Sequence, residues 1–186
     1  MSSNDVLIRI QSTPNPYAWK FILNQPVLNE GKASYGNPEE AKQNNLASSL
    51  FQVQSVRQVH FFQNVITITH AFDEEFDSIK EALTSVIQTR IAAHNPNQTP
   101  TDEKKMARAH LPESLQKIEE ILDRTVRPGL QGDGGDIEII KLEDHKLYVH
   151  YEGACGTCPS ATSGTLMAIE SIMKEEFDPQ IEVIPL

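Results

Sequence analysis

Residues 94–102 read His-Asn-Pro-Asn-Gln-Thr-Pro-Thr-Asp, a stretch with two prolines and no large apolar side chain. Such a stretch has nothing to bury, and its prolines lack the N–H that a helix or an interior strand would use. A chain of 186 residues has room for one large domain or two small ones, and this break favours two. The expected division is residues 1–94, a polar linker over 95–110, and residues 111–186.

Hydrophobic periodicity supplies the elements on either side. Residues 6–10 read as a strand, which Thr13-Pro14-Asn15-Pro16 ends, and residues 19–23 alternate as a second strand. Asn37 followed by Pro38 predicts a helix start, with Leu46, Leu50 and Phe51 as its apolar stripe. Residues 56–62 and 65–69 form an expected hairpin around Gln63-Asn64. Phe72, Phe76, Ile79, Leu83, Val86 and Ile87 then recur at helical steps. In the second part Leu111, Leu115, Ile118, Leu122 and Val126 mark a helix ending at Arg127-Pro128-Gly129. Gly132-Asp133-Gly134-Gly135-Asp136 follows as a sharp turn needing positive φ, its Asp side chains bonding local amides, and is expected to pack beside the loop that carries Cys155 and Cys158. Residues 137–142 and 147–151 are the next two strands, joined by a turn at Asp144-His145. A helix over 159–177 and a strand over 181–184 complete the chain. Both parts are therefore expected to be α+β, the second in the order helix, strand, strand, helix, strand.

The chain has two cysteines, Cys155 and Cys158. A disulfide between them would close a very small loop, so the pair reads as metal-binding or redox-active. It lies in Gly153-Ala154-Cys155-Gly156-Thr157-Cys158-Pro159-Ser160, between a strand and a helix. Pro159 suits the first helical position, which makes Cys158 the expected N-cap. The positive end of a helix favours thiolate over thiol. Gly153 and Gly156 are expected to let the backbone approach sulfur closely. Thiolates serve iron–sulfur clusters and zinc alike, and a thiol–disulfide oxidoreductase also places this motif at a helix start. A cluster or structural zinc takes four protein ligands, and one chain supplies two sulfurs. Either two chains pool their cysteines, or outside ligands complete the shell.

Charge and composition exclude several classes. A formal net charge of −10 opposes binding to a polyanion, so no nucleic-acid partner is expected. No apolar run approaches the roughly 20 residues of a membrane span. Residues 1–5 resemble neither a signal peptide nor an organelle transit peptide, from which a cytoplasmic location is expected. There is no Ser/His/Asp set, no phosphate-cradling glycine loop and no paired carboxylates in an apolar setting, so the chain is not expected to be an enzyme. His60, His70, His145 and His150 show no metal spacing and read as core or surface residues. Trp19 reads as a packed aromatic, and Leu166, Ile169, Met173 and Phe177 as a core stripe.

The cysteine segment, read with residues 127–138 (Arg-Pro-Gly-Leu-Gln-Gly-Asp-Gly-Gly-Asp-Ile-Glu) and with Thr165-Leu166 and Ile169-Glu170, resembles the C-terminal domain of the NifU/Nfu family of iron–sulfur scaffold and carrier proteins. Thr13-Pro14-Asn15-Pro16, Trp19-Lys20-Phe21 and the 56–69 hairpin resemble the family's N-terminal domain. The resemblance implies a [4Fe–4S] cluster held between two subunits of a homodimer and delivered to apo iron–sulfur client proteins after an upstream scaffold supplies it. It makes Cys155 and Cys158 the cluster ligands. It also implies that the N-terminal domain serves client choice or regulation. Ala161 stands where the family usually has a second serine, and the scaffold and ferredoxin cysteines of the longer nitrogen-fixation type are absent, which favours transfer over assembly. The alternatives are a thiol–disulfide oxidoreductase, disfavoured because the pair follows a two-stranded hairpin, and a zinc-bridged adaptor.

Overall fold

The computed structural model describes residues 5–98, 111–156 and 159–186, with backbone alone over 159–162. Strands β1 (Ile8–Ser12) and β2 (Ala18–Leu23) pair across the Thr13-Pro14-Asn15-Pro16 turn. There Thr13 Oγ1 donates to Asn15 O at 2.9 Å, and Tyr17 N donates to Asn15 Oδ1 at 3.0 Å. Strands β3 (Lys32–Tyr35), β4 (Val56–Phe62) and β5 (Val65–His70) complete a five-stranded antiparallel sheet of order β1-β2-β5-β4-β3. The β4–β5 turn puts Gln63 at φ +51. One face of the sheet carries Phe21, Val59, Phe61, Ile66 and Ile68. Helices α1 (Asn45–Leu50) and α2 (Phe76–Arg90) cover that face with Leu46, Leu50, Leu83 and Ile87.

The second unit runs α3 (Glu113–Thr125), α4 (Arg127–Gly132), β6 (Gly135–Glu143), β7 (Lys146–Gly153), α5 (Pro159–Glu176) and β8 (Glu182–Pro185). Its sheet is β6-β7-β8, antiparallel then parallel. Ile118, Leu122, Ile137, Leu147, Val149, Ile169, Met173 and Ile181 form a separate core. Leu166 and Phe177 pack at its edge, as the stripe on α5 requires. Both units are α+β, as expected.

Three local expectations are corrected, and one strand was not expected at all. The helix predicted from Asn37 does not run on: Asn37 Oδ1 accepts from Glu40 N at 3.0 Å, but this caps only turns, and Asn44 restarts the chain as the true N-cap, accepting from Ala47 N at 3.0 Å. Phe72 precedes α2 and is 65% exposed, resting edge-on against Tyr17 rather than joining the helix stripe. The helix expected to stop at Arg127-Pro128-Gly129 turns instead into α4, with Pro128 accepted in its first turn. β3 gave no sequence signal, since Lys-Ala-Ser-Tyr is too short for its alternation to register. Residues 95–98, at the start of the expected linker, bond to the first unit: Asn29 N donates to Pro96 O at 3.0 Å, and Gln98 Nε2 to Gln43 O at 2.6 Å. The rest of that linker, from residue 99 to 110, lies outside the described residues. Among the described residues no helix is long and apolar enough to cross a membrane.

Candidate functional site

The cysteine loop begins where β7 ends. Gly153 has φ +63, which turns the chain out of the strand, and Gly156 N closes the turn by donating to Gly153 O at 3.1 Å. Ala154 N donates across to Gly134 O at 3.1 Å, tying the loop to the turn before β6. Gly134 itself has φ +83, so the expected left-handed turn falls there. Cys155 is half-buried and packs against the second core. Its sulfur is admitted by Gly135: a Cβ at that position would lie 2.5 Å from Cys155 Sγ and 2.9 Å from Glu152 O. The sequence had credited Gly153 and Gly156 with making room for sulfur; the glycine that does so comes from across the hairpin. Beneath the loop, burial and then the negative charge of Cys155 push the Tyr151 hydroxyl well above its ordinary pKa. Helix α5 starts at Pro159, as its first-position preference predicts. Thr157 and Cys158 lie outside the described residues, and with them the expected N-cap.

The loop does not stand alone. The second face of the five-stranded sheet, which alternation would assign to solvent, lies against it. Asn15 Nδ2 donates to Ala154 O at 2.9 Å and Lys20 Nζ to Gly132 O at 2.6 Å. Lys32 Nζ reaches between two carboxylates, Glu152 at 2.5 Å and Asp136 at 3.2 Å. Asp136 is also 3.5 Å from Arg127 Nε, and Arg127 pairs further with Glu119 at 2.6 Å and with Asp123. Burial works against the Arg127 charge, and Glu119 and Asp123 more than reverse this, so its pKa is raised. His60 sits among these groups, 1% exposed, its Nδ1 2.6 Å from Ser34 Oγ. Burial holds His60 below its ordinary pKa, against the pull of Glu152.

Trp19 and the other histidines singled out above, His70, His145 and His150, have structural partners. Trp19 stacks on Phe76 at 4.1 Å, and His70 Nδ1 lies 2.9 Å from Ala71 O. His145 pairs with Asp178 at 2.6 Å, and His150 Nδ1 is 3.3 Å from Leu186 O. Among the described residues no three of His, Cys, Asp and Glu converge as a metal site, and the carboxylates beside the loop are engaged by Lys32. Sulfur is thus the donor the loop offers. The turn over residues 132–136 lies beside the cysteine loop, as expected, while sequence reasoning missed Asn15, Lys32 and His60 as neighbours of this site. No sequence signal could have found them, because polar residues alternating on β2, β4 and β5 read as an ordinary solvated face.

The chain matches a family model described as NifU-like domain over residues 118–184, and one described as scaffold protein Nfu/NifU N terminal over residues 8–94. It is 30% identical to the human NFU1 iron-sulfur cluster scaffold homolog, mitochondrial, over 95% of its own length and 70% of that protein. The chain belongs to the NifU/Nfu family. Another member, NifU-like protein 5, mitochondrial, of Arabidopsis thaliana, is 27% identical over 95% of this chain and 70% of its own. A solved NifU-like protein from Saccharomyces cerevisiae aligns with half of this family member and 85% of itself, at 21% identity and a TM-score of 0.45. The cytoplasmic location expected from residues 1–5 is overturned by these relatives, which are named mitochondrial. A leader that has been removed leaves no trace in the sequence that remains, so the first residues were no basis for a compartment.

Proposed function

We propose that this NifU/Nfu chain is a carrier that holds a [4Fe–4S] cluster between two copies of itself, through Cys155 and Cys158 of each, and passes it to apo iron–sulfur proteins. The observation that carries this reading is the sulfur count: two cysteines in 186 residues, both in the β7–α5 connection, against the four thiolates a cubane takes. The half-buried Cys155, seated against Gly135 at the edge of the second core, supports cargo that can leave. The scaffold role named for the human relative supports the same class of function. The division into residues 1–94, 95–110 and 111–186 belongs to this proposal, with the cluster on the last part.

The cluster is cargo, and the protein's part is to bind and release it. The Gly135 gap seats one thiolate. Nothing in the loop supplies a second redox partner beyond Cys158, and reductase activity is the outcome that would favour the oxidoreductase reading. The test is anaerobic reconstitution with iron and sulfide of wild type and Cys155→Ala. Wild type should turn brown and dimerise, while the variant stays colourless, monomeric and folded by circular dichroism. Equal dimer content in both, or a zinc-filled colourless wild type, would defeat the proposal.

A further inference from the structure

Lys20, Gln58, His60 and Thr67 alternate along β2, β4 and β5 with the apolar residues of the first core. His60 and Thr67 are nevertheless 1% exposed, because residues on either side of Cys155 cover them. Before the sulfur, Ala154 O takes the Asn15 bond, and a Cβ on Gly153 would lie 3.2 Å from His60 Cγ. After it, a Cβ on Gly156 would lie 3.2 Å from Gln58 Oε1. The preceding turn is as close: a Cβ on Gly134 would come within 2.8 Å of both Lys20 Cγ and Thr67 Oγ1. Glycines at 134, 153 and 156 therefore let one sheet face settle onto the loop.

We infer that the N-terminal domain is a lid on the cysteine loop, and that a second copy of this chain competes with it for that surface. The inference rests on the shared-cluster reading above, since two loops that pool cysteines must meet face to face, and this loop is already seated against a sheet. The way the lid is held makes it removable. Its attachments are polar: the Lys32 clasp on Glu152 and Asp136, and the Asn15 and Lys20 bonds to backbone oxygens. Meanwhile Gln58 Oε1, His60 Nε2 and Thr67 Oγ1 are buried with no hydrogen-bonding partner among the described residues. A buried polar atom without a partner carries a desolvation penalty that opening to water relieves. Interfaces between domains of one chain with this polar character open and close. By linkage, docking of the lid and pairing of two loops must weaken each other by the same factor.

Lys32→Glu in the full-length chain tests this, because it places a third carboxylate beside Glu152 and Asp136. Small-angle X-ray scattering of the apo protein should show an expanded particle. Anaerobic reconstitution over a range of protein concentrations, followed by absorbance and light scattering, should then show the cluster-linked dimer forming at a concentration at least about fivefold lower than in wild type, the low end of ordinary coupling between sites. An expanded variant that dimerises at the same concentration as wild type, or only at a higher one, overturns the lid while leaving the carrier reading intact. A variant as compact as wild type overturns the clasp on which the lid depends. Cluster in neither protein overturns the carrier reading and the lid with it. Should the charge reversal unfold the chain by circular dichroism, Lys32→Ala and Lys20→Ala carry the same comparison.

Discussion

Replacing Gly135 with alanine should damage the cysteine loop, and the geometry says by how much. The backbone there is not left-handed, so alanine meets no conformational penalty. Its Cβ would lie 2.5 Å from Cys155 Sγ, 2.9 Å from Glu152 O and 3.0 Å from Cys155 N. Ordinary contacts are about 3.5–4.0 Å, so the overlap with sulfur is roughly an ångström. Sulfur can rotate away, but the two backbone atoms belong to β7 and the loop and can only move with them. Overpacking of this kind costs about 1–3 kcal/mol, or roughly 4–8 °C of melting temperature per kcal/mol in a unit this small. Gly132→Ala is the control, since nothing lies within 4 Å of its Cβ and it ends a helix. It should leave stability unchanged or raise it by up to about 1 kcal/mol. Thermal melts, the alkylation rate of Cys155 and iron loading would be read on both variants. If Gly135→Ala matches Gly132→Ala in all three, Gly135 does not shape the seat of the sulfur.

Two further outcomes follow from the charges around the loop. Arg127 is buried among Glu119, Asp123 and Asp136, so Arg127→Met should lose about 3–5 kcal/mol in guanidinium unfolding, the usual result of removing one partner from buried ion pairs; a loss below about 1 kcal/mol would mean the network contributes little. His60 is held neutral by burial, so it binds fewer protons folded than unfolded. Its stabilising effect is present above about pH 6.5 and is lost as pH falls from there through its lowered folded value. Lys32, Glu152 and Asp136 face it, and His94, lowered in the same direction by burial, adds to the trend. Wild type should therefore lose stability relative to His60→Gln below that pH, and parallel curves would contradict the assignment.

What the sequence disclosed was whatever follows from local pattern. The 56–69 hairpin, the α3 stripe and the Cys-x-x-Cys connection between strand and helix were visible because period and turn chemistry are local properties. The turn over residues 132–136 was expected beside the cysteine loop, but the choice of Gly135 as the residue that admits the sulfur was not visible, because it is set by the register of β6 on β7, in which Gly135 pairs with Gly153. Phe72 followed the helical spacing and still lies outside α2, because Glu75 occupies the N-cap and the helix starts after it. The covered polar face was hardest to foresee. Thr67 and His60 satisfy the rule for an exposed strand face, and only the arrival of the second domain buries them.

The central claim is that one cubane needs the thiolates of two chains. Native mass spectrometry of protein loaded without air tests it in one spectrum, since chain number, iron and sulfide are all weighed together. The expected species is two chains carrying four iron and four sulfide, lost in Cys155→Ala. A single chain carrying the whole cubane would contradict it.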